Sequence, residues 1–577
     1  MTEQASENLI WAGNLIHSLA AGGVIHAVIS PGSRSTPLAL ACLQHSNLNT
    51  WVQVDERSAA FFALGLAKAC RQPVILVCTS GSAPANWYPA VIEADMGMVP
   101  LVLLSADRPA ELRDCGANQS INQTHLFGGH VRAFHELPAA DARPEMLRYL
   151  RTLAARAADQ CRWPLPGPVH VNVPLREPLV PATSAGRSSD RHVGLKTDQQ
   201  AESMAPAMVS HPRLSLPGAE ADTLAHALAG GKGLIVCGWG AHDPDFPEAV
   251  VALARKLACP LLADPLSGLR FGSHELDSVL CRYDAFLRRS SMQENLRPDW
   301  VLRFGAMPVS KILQQFLSAQ SGIPHIVADA HGRWPDPLHQ ATRLVRADPA
   351  VLCRQLTAGI ASAAPSSWLA AFQSEEQRAA GPSQENAPLE AAVVRAVVDL
   401  LPDGGTLFSG NSMAIRDLDA FSGSGAKSFQ IIGNRGASGI DGNVSTALGL
   451  AAGSQRPVVA LLGDLAFYHD MNGLLAARGL DVVLVVLNNG GGGIFEYLPQ
   501  ARLADFERAW LTPLGVDFSH AARMYGLGYQ RVSAAAGFRA ALAAALAGGA
   551  HLIEVMVDRD LSVARHRAYW TAQAEGR

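Results

Sequence analysis

Short, fully apolar runs alternate along the chain with longer stretches whose apolar positions recur every three to four residues. Between residues 8 and 179 the runs GVIHAVIS, PVILVCTS and PLVLLSA are interleaved with helical patterns such as ERSAAFFALGLAKAC. An apolar run without alternation marks a strand buried on both faces, and strands alternating with amphipathic helices predict a parallel sheet covered by helices. The runs GLIVCGWG, CPLLAD, WVLRFG and PHIVADA form a second such unit, and GTLFSGNS, PVVALLGD, VVLVVLNN and HLIEVMV a third. The expected fold is α/β, with three consecutive doubly wound parallel-sheet domains. A Ser- and Pro-rich stretch from about 181 to 220 and an Ala/Ser/Gln-rich stretch from about 358 to 388 read as linkers. The expected boundaries are a first domain at 1–185, a linker at 186–222, a central domain at 223–360, a linker at 361–388 and a third domain at 389–577. Three units of comparable length suggest duplication of one domain type, although no residue-level repeat stands out.

Composition narrows the class. At 577 residues the chain is too long for one core and long enough to bury an active site between domains. Hydrophobic residues make up 48% and charged ones 17%, which leaves no case for bulk disorder. A net charge of −4 argues against nucleic acid as a partner, because neutralising phosphates needs a basic face. The nine cysteines are scattered without a CxxC pair, so they read as small buried residues of a reducing compartment. The start, MTEQASENLIWAG, lacks the basic and apolar regions of a signal peptide, and no apolar run approaches the about 20 residues needed to span a bilayer. A cytoplasmic protein without a membrane anchor is expected.

The most informative stretch is VVLVVLNNGGGGIF, 482–495, where an apolar strand ends abruptly in two asparagines and four glycines. Ligands of open parallel sheets sit beyond the carboxyl ends of the strands. PVVALLGD ends in the same way, and its Asp464 lies 25 positions before Asn489, about one strand-helix-strand unit. If the two strands are neighbours, a carboxylate and an amide oxygen face one pocket. Such oxygens suit Mg²⁺, which takes few protein ligands and fills its octahedron with phosphates and waters. The glycines let backbone groups approach an anion or metal without Cβ interference. A plain strand-to-turn transition explains the same stretch taken alone, since Asn-Gly is a common turn dipeptide. Neither GxxxxGK[ST] nor a GxGxxG between strand and helix is present.

Gly-Asp followed some 25 residues later by Asn-Asn resembles the thiamine-diphosphate signature, and the resemblance implies Asp464, Asn489 and the Gly491 carbonyl as ligands of Mg²⁺, with Mn²⁺ as the alternative. The residue after Gly463-Asp464 is Leu465 where the usual pattern has Gly, which points away from the commonest decarboxylases of this group. The matching half-site would be Glu56 in VDERSAAF; on its own, Glu56 is equally an ordinary helix-start acid favoured by the macrodipole. Further segments are PGSRSTPL (31–38), DERSAAFFALGLAKA, TSGSAPANWYPAVIEA (79–94), SADRPAELRDCGANQSI (105–121), SGNSMAIRD (409–417) and NRGASGIDG (434–442). Together they resemble the 2-succinyl-5-enolpyruvyl-6-hydroxy-3-cyclohexene-1-carboxylate synthases of menaquinone biosynthesis, densely in the first and third units and thinly in the middle one.

That resemblance implies a reaction: 2-oxoglutarate loses CO₂ and the succinyl carbanion equivalent adds in 1,4 fashion to isochorismate. Glu56 would hydrogen-bond the pyrimidine N1′ of the cofactor and favour the imino tautomer that removes the C2 proton. Cofactor contacts are implied for Glu56, Ser412, Ile440, Gly463, Asp464, Asn489, Gly491 and Ile494, with Ile440 as an apolar wedge under the bent cofactor. For the substrate carboxylates the family pattern implies Arg34, Arg108, Arg416 and Arg435, whose guanidinium forks suit carboxylates. Ser33, Asn118 and Gln119 would add neutral hydrogen bonds, Lys311 a further cation, and Phe495 and Leu498 an apolar wall. A loop arginine is otherwise usually a solvated group, and Ile440, Ile494, Phe495 and Leu498 are equally ordinary core residues. Lys311 is followed by Ile312 where the family has a second basic residue, which leaves part of the second-substrate clamp unassigned. The family builds its site from two subunits, so a homodimer is the minimum and a homotetramer is common. No second cofactor is assigned to the middle unit.

Three other readings compete. Another thiamine-diphosphate enzyme, acetolactate-synthase-like or benzoylformate-decarboxylase-like, is opposed by Leu465 and by the CGANQSI and NRGASGIDG segments. A nicotinamide-dependent oxidoreductase would need a dinucleotide fingerprint. A non-catalytic regulatory homologue would be expected to lose Glu56, Asp464 or Asn489, and all three are present.

Overall fold

The computed structural model describes residues 3–181, 207–240, 243–379 and 386–576, so the expected linker segments at 186–206 and 380–385 lie outside the described residues. Three six-stranded sheets with parallel pairing follow one another along the chain. The first contains β1 (His26–Ile29), β2 (Asn49–Val52), β3 (Val74–Cys78), β4 (Leu101–Asp107), β5 (Ala133–Glu136) and β6 (Pro168–Pro174), in the order β2-β1-β3-β4-β6-β5. The second contains β7 (Gly233–Cys237), β8 (Leu261–Ala263), β9 (Val279–Leu280), β10 (Trp300–Phe304), β11 (His325–Ala328) and β12 (Arg343–Val345), in the order β12-β11-β10-β7-β8-β9. The third contains β13 (Thr406–Ser409), β14 (Gln430–Gly433), β15 (Val458–Gly463), β16 (Val482–Asn488), β17 (Gly528–Val532) and β18 (Ala550–Met556), in the order β14-β13-β15-β16-β18-β17.

The first and third sheets therefore share one strand order and the second has another, so a single domain type accounts for the outer two only. The middle order is that of dinucleotide-type folds. At its reversal point, between β7 and β10, main-chain pairing continues past the strand ends: Gly238 N–H donates to the Phe304 carbonyl at 2.9 Å and Ala306 N–H to that of Trp239 at 2.8 Å.

The chain forms two compact units. One comprises Met1–His211, Asn434–Gln455 and His469–Arg478; the other comprises Pro212–Gly433, Arg456–Tyr468 and Gly479–Arg577. The first unit has an apolar core built on β1, β3, β4 and β6, and in it helix Asn443–Gly453 packs on helix Glu56–Cys70, crossing it at Gly449 and Gly65. A Cβ at either position would collide with the backbone of the other helix, so only glycine permits this approach. Buried Asp470 fastens the start of helix Asn443–Gly453 by accepting hydrogen bonds from Ser445 N–H at 2.6 Å and Oγ at 3.0 Å.

In the second unit one continuous apolar core serves both the second and third sheets. Arg270, fully buried, donates to the Leu418 and Asp419 carbonyls, to Ser422 Oγ, to Tyr283 and to the Asp419 carboxylate, which fixes the end of helix Met413–Phe421. The stretch expected as the second linker contains helix Ser366–Arg378. Its Trp368 and Phe372 are buried, and Trp368 Nε1 donates to the Gly233 carbonyl at 2.8 Å. Two aromatic side chains in an otherwise polar segment supply enough apolar area to dock it. Among the described residues no helix is long and apolar enough to cross a membrane.

Candidate active site

The third sheet reverses its strand order between β13 and β15, and the ends of β13, β15 and β16 with the segments that follow them carry the predicted cofactor residues other than Glu56 and Ile440. β15 pairs with β16, Gly463 opposite Leu487, so Asp464 and the Asn488-Asn489 pair leave adjacent strands side by side. Asp464 is 3% exposed and its Oδ1 accepts from Leu465 N–H at 2.9 Å. Burial pushes its carboxyl up to about 6, opposed by the backbone N–H groups of Leu465, Gly491 and Gly490, which favour the charge. Asn489 Oδ1 is buried without a hydrogen-bond partner. Gly491 has φ +133°, and a Cβ there would run into the Leu511 carbonyl. Its own carbonyl accepts from Gly493 N–H at 2.9 Å, which leaves a second lone pair.

Ser412 follows β13 with φ +65° and ψ −125°, a conformation that costs a non-glycine residue on the order of 1–3 kcal/mol. Its carbonyl accepts from Arg416 Nη1 at 2.6 Å, and the Arg416 side chain is exposed. Ile494 and Phe495 are half-buried on the short helical turn Gly493–Tyr497 and Leu498 is 38% exposed, so none of the three belongs to the apolar core. Gly463 is half-buried at the end of β15. Lys311 is exposed at the start of helix Lys311–Ala319, which Ser310 caps through Leu313 N–H at 3.1 Å. Ile312 instead packs against the core, which accounts for an apolar residue where a second base is expected.

In the first unit Glu56 opens helix Glu56–Cys70. Asp55 caps that helix, accepting from Arg57 N–H at 2.9 Å and Ser58 N–H at 3.2 Å, so the position of Glu56 is set by a cap of the usual acidic type. Ser33 and Arg34 lie in the turn after β1, with the Ser33 carbonyl accepting from Thr36. Arg34 is 5% exposed and donates to the Leu175 carbonyl at 2.9 Å and to Glu177 at 2.8 Å, while its Nε is buried without a partner. Arg108, just past β4, donates to Ser80 Oγ. Burial and the neighbouring Arg34 charge together lower its pKa. The charges of Asp107 and Glu177 oppose that shift.

Gln119 joins this corner: its Nε2 donates to the Ser80 carbonyl at 3.0 Å and its own carbonyl accepts from Ser80 Oγ at 3.1 Å. Asn118 is exposed beside it. Arg435 is half-buried in the loop before helix Asn443–Gly453, and Ile440, at 41% exposure, stands outside the core. The structure thus brings Arg34, Arg108 and Gln119 together in one corner and Asp464, Asn489 and Gly491 in another.

Comparison with known proteins adds the chemistry. Residues 12–126 match the family model described as thiamine pyrophosphate enzyme, N-terminal TPP binding domain, residues 214–409 the middle domain of thiamine pyrophosphate, and residues 424–555 the C-terminal TPP binding domain. Three relatives are named 2-succinyl-5-enolpyruvyl-6-hydroxy-3-cyclohexene-1-carboxylate synthase. That of Geobacillus kaustophilus is 47% identical over 98% of this chain and 98% of its own. That of Dechloromonas aromatica is 44% identical over 96% and 99%, and that of Bacillus velezensis 43% over 96% and 96%. This chain belongs to that synthase family. The benzoylformate decarboxylase of Polynucleobacter necessarius superposes with a TM-score of 0.69 over 95% of this chain and 98% of its own, at 18% identity, which shows a shared fold.

As a member of the synthase family the chain carries both thiamine-diphosphate-binding domains. Its residues suit that cofactor: a buried amide oxygen without a partner beside a buried carboxylate is a donor set that a diphosphate-bound dication satisfies. Two supporting residues of this chain stand outside its recognisable motifs. Glu554, fully buried in β18, accepts from Asn488 Nδ2 at 2.6 Å, from Arg531 Nε at 2.9 Å and from Tyr529. Asn488 Oδ1 in turn accepts from Gly490 N–H at 3.1 Å, which shapes the turn that presents Asn489 and Gly491. The available signal was an acid inside the apolar run HLIEVMV. Gln123 ties Gly81 N–H at 3.1 Å to Asn172 at 2.8 Å beneath the Arg108 corner, and nothing in its polar sequence context marks it.

Proposed function

We propose that this chain decarboxylates 2-oxoglutarate and adds the remaining succinyl unit in 1,4 fashion to isochorismate, forming 2-succinyl-5-enolpyruvyl-6-hydroxy-3-cyclohexene-1-carboxylate for menaquinone biosynthesis. The product named by relatives at 42–47% identity supports the reaction. The geometric observation that carries the reading is Asn489 Oδ1, buried and unpartnered beside Asp464.

Mg²⁺, or Mn²⁺ in its place, would be held by Asp464, Asn489 and the Gly491 carbonyl, with Gly463, Ser412 and Ile494 around the diphosphate. Thiamine diphosphate, when bound, supplies the electron sink for loss of CO₂. Glu56 holds a proton at the pyrimidine N1′, and Ile440 offers an exposed apolar surface to the ring system. Arg34 and Arg108 orient one carboxylate, with Ser33, Asn118 and Gln119 as neutral partners. Arg416, Arg435 and Lys311 serve the remaining carboxylates, and Phe495 and Leu498 exclude water from the reacting carbons. A cytoplasmic homodimer is the assembly proposed, and pairing into a tetramer is compatible with it.

The test is product formation from 2-oxoglutarate and isochorismate with thiamine diphosphate and Mg²⁺, comparing wild type with Glu56→Gln. Turnover by the wild type and its loss in the variant are expected. Cofactor binding without turnover would retain the fold and remove the substrate assignment.

A further inference from the structure

The loop 434–442, which carries Arg435 and Ile440, is held by side chains that the proposed reaction does not use. Glu93, on helix Tyr88–Gly97, is 3% exposed, and each of its carboxylate oxygens accepts one loop amide. Oε1 takes Gly436 N–H at 2.9 Å and Oε2 takes Ala437 N–H at 2.7 Å. Lys68 Nζ lies 3.9 Å from the same Oε1 and donates to Asn434 Oδ1 at 2.7 Å. Asn434 Nδ2 continues to Thr446 Oγ1 at 2.9 Å. At Gly436 the loop touches the helix backbone itself: an added Cβ would lie 2.6 Å from the Glu93 carbonyl oxygen and the Gly97 nitrogen. Residues 434, 436 and 437 are therefore tied down on both sides of Arg435. All of these residues belong to the first compact unit.

We propose that Glu93, with Lys68, is a positioning residue: it clamps the backbone on either side of Arg435 and so presents Arg435 and Ile440 in a fixed register. The proposal rests on the reading of Arg435 as a substrate-carboxylate ligand. Two physical points favour positioning over bulk stability. A buried ion pair contributes little to stability compared with well-packed apolar residues of the same volume, so its retention needs another reason. An apolar residue at 93 would fill the space, yet it would leave two loop N–H groups unbonded and the loop free to shift. Lys68 also sits on the helix that begins at Glu56, twelve residues and about 18 Å along one rigid rod. The clamp thus sets the Arg435 loop in register with the helix that presents Glu56.

The experiment combines kinetics with hydrogen exchange on the full-length holoenzyme, using Glu93→Gln, Arg435→Ala and the double variant. Glu93→Gln keeps the volume and replaces one acceptor by a donor that faces a loop amide. Exchange in the peptide spanning 434–442 should rise about tenfold. KM for one of the two acids should rise about tenfold with kcat within about threefold, because the lost interaction is one of substrate placement. Arg435→Ala should raise the same KM, and Glu93→Gln should add nothing further in the Arg435→Ala background. Unchanged loop exchange with unchanged KM in Glu93→Gln, or additive effects of the two substitutions, would overturn the proposal. Arg435→Ala with normal KM for both acids would remove the substrate reading and the proposal with it, and raised exchange in Glu93→Gln would then identify that reading, not the clamp, as the error. Should Glu93→Gln fail to fold, Lys68→Met carries the same expectations, since it removes the donor to Asn434.

Discussion

An amide oxygen buried without a partner costs on the order of 1–3 kcal/mol, and Asn489 Oδ1 bears that cost next to a buried carboxylate. A chain selected for stability alone would not keep the pair. Asn489→Ala should therefore leave the thermal midpoint of the metal-free protein unchanged or slightly raised, while weakening Mg²⁺-dependent binding of thiamine diphosphate at least about tenfold by titration calorimetry. Unaltered cofactor affinity in that variant would count against the ligand assignment. His566 offers a pH-dependent case away from the metal ligands. It is 1% exposed; its Nε2 meets Asp417 Oδ1 at 3.1 Å and its Nδ1 the Ser562 carbonyl at 2.9 Å, while Ser562 Oγ donates to Glu390. Phe421, Tyr497 and Trp570 complete its surroundings. Burial alone would lower its pKa, but the hydrogen bond and charge of Asp417 and the charge of Glu390 carry it up to about 9. A folded pKa above the unfolded one gives stability that is complete below about pH 6.5 and lost as pH rises through 9. The stability gap between wild type and His566→Gln, on the order of 3 kcal/mol at pH 6, should close towards pH 10 in denaturant titrations. What the sequence displayed at this scale were residues close together in a motif, such as Asp464 with Asn489. Glu93 stayed hidden because its partners lie 343 and 344 positions away, in a segment that only folding brings near, and Glu554 because the polar groups it accepts from, Asn488, Tyr529 and Arg531, belong to no shared motif.

The same division holds for the elements. The strands visible as uninterrupted apolar runs lie inside the sheets, where both faces are covered. The edge strands β2, β5, β9, β12, β14 and β17 were not visible, because an edge is half solvated or very short and carries a mixed pattern. β6 is an inner strand that escaped for another reason: PVHVNVP alternates apolar residues with His170 and Asn172, whose side chains bond to Ser105 within the sheet. Helix crossings leave a different trace, a glycine inside a helical pattern. Gly449→Ala should drive helix Asn443–Gly453 off helix Glu56–Cys70 and destabilise the protein by about 1–3 kcal/mol, although alanine is the better helix former. A thermal midpoint equal to or above that of the wild type would show that the crossing relaxes without cost.

At the scale of the whole molecule, order along the chain and membership in a compact unit part company. Three sheets in succession were legible from the alternation of apolar runs and helices. The two units were not, because segments 434–455 and 469–478 flank strands of the third sheet in sequence yet belong with the first. Their own composition says why: helix Asn443–Gly453 is apolar on nearly every face, as an element covered on all sides must be, and no sequence pattern states what covers it. The consequence is measurable. Cooperative opening follows packing, not chain order. In native-state hydrogen exchange under rising denaturant, the amides of helix Asn443–Gly453 should merge with the opening isotherm of helix Glu56–Cys70. Those of β15 and β16, which follow it in sequence, should follow the isotherm of the second unit, together with β10 and the helix Ser366–Arg378. If helix Asn443–Gly453 opened instead with β15 and β16, connectivity would govern its stability. The glycine crossing would then be a contact that the fold tolerates rather than one that defines a unit.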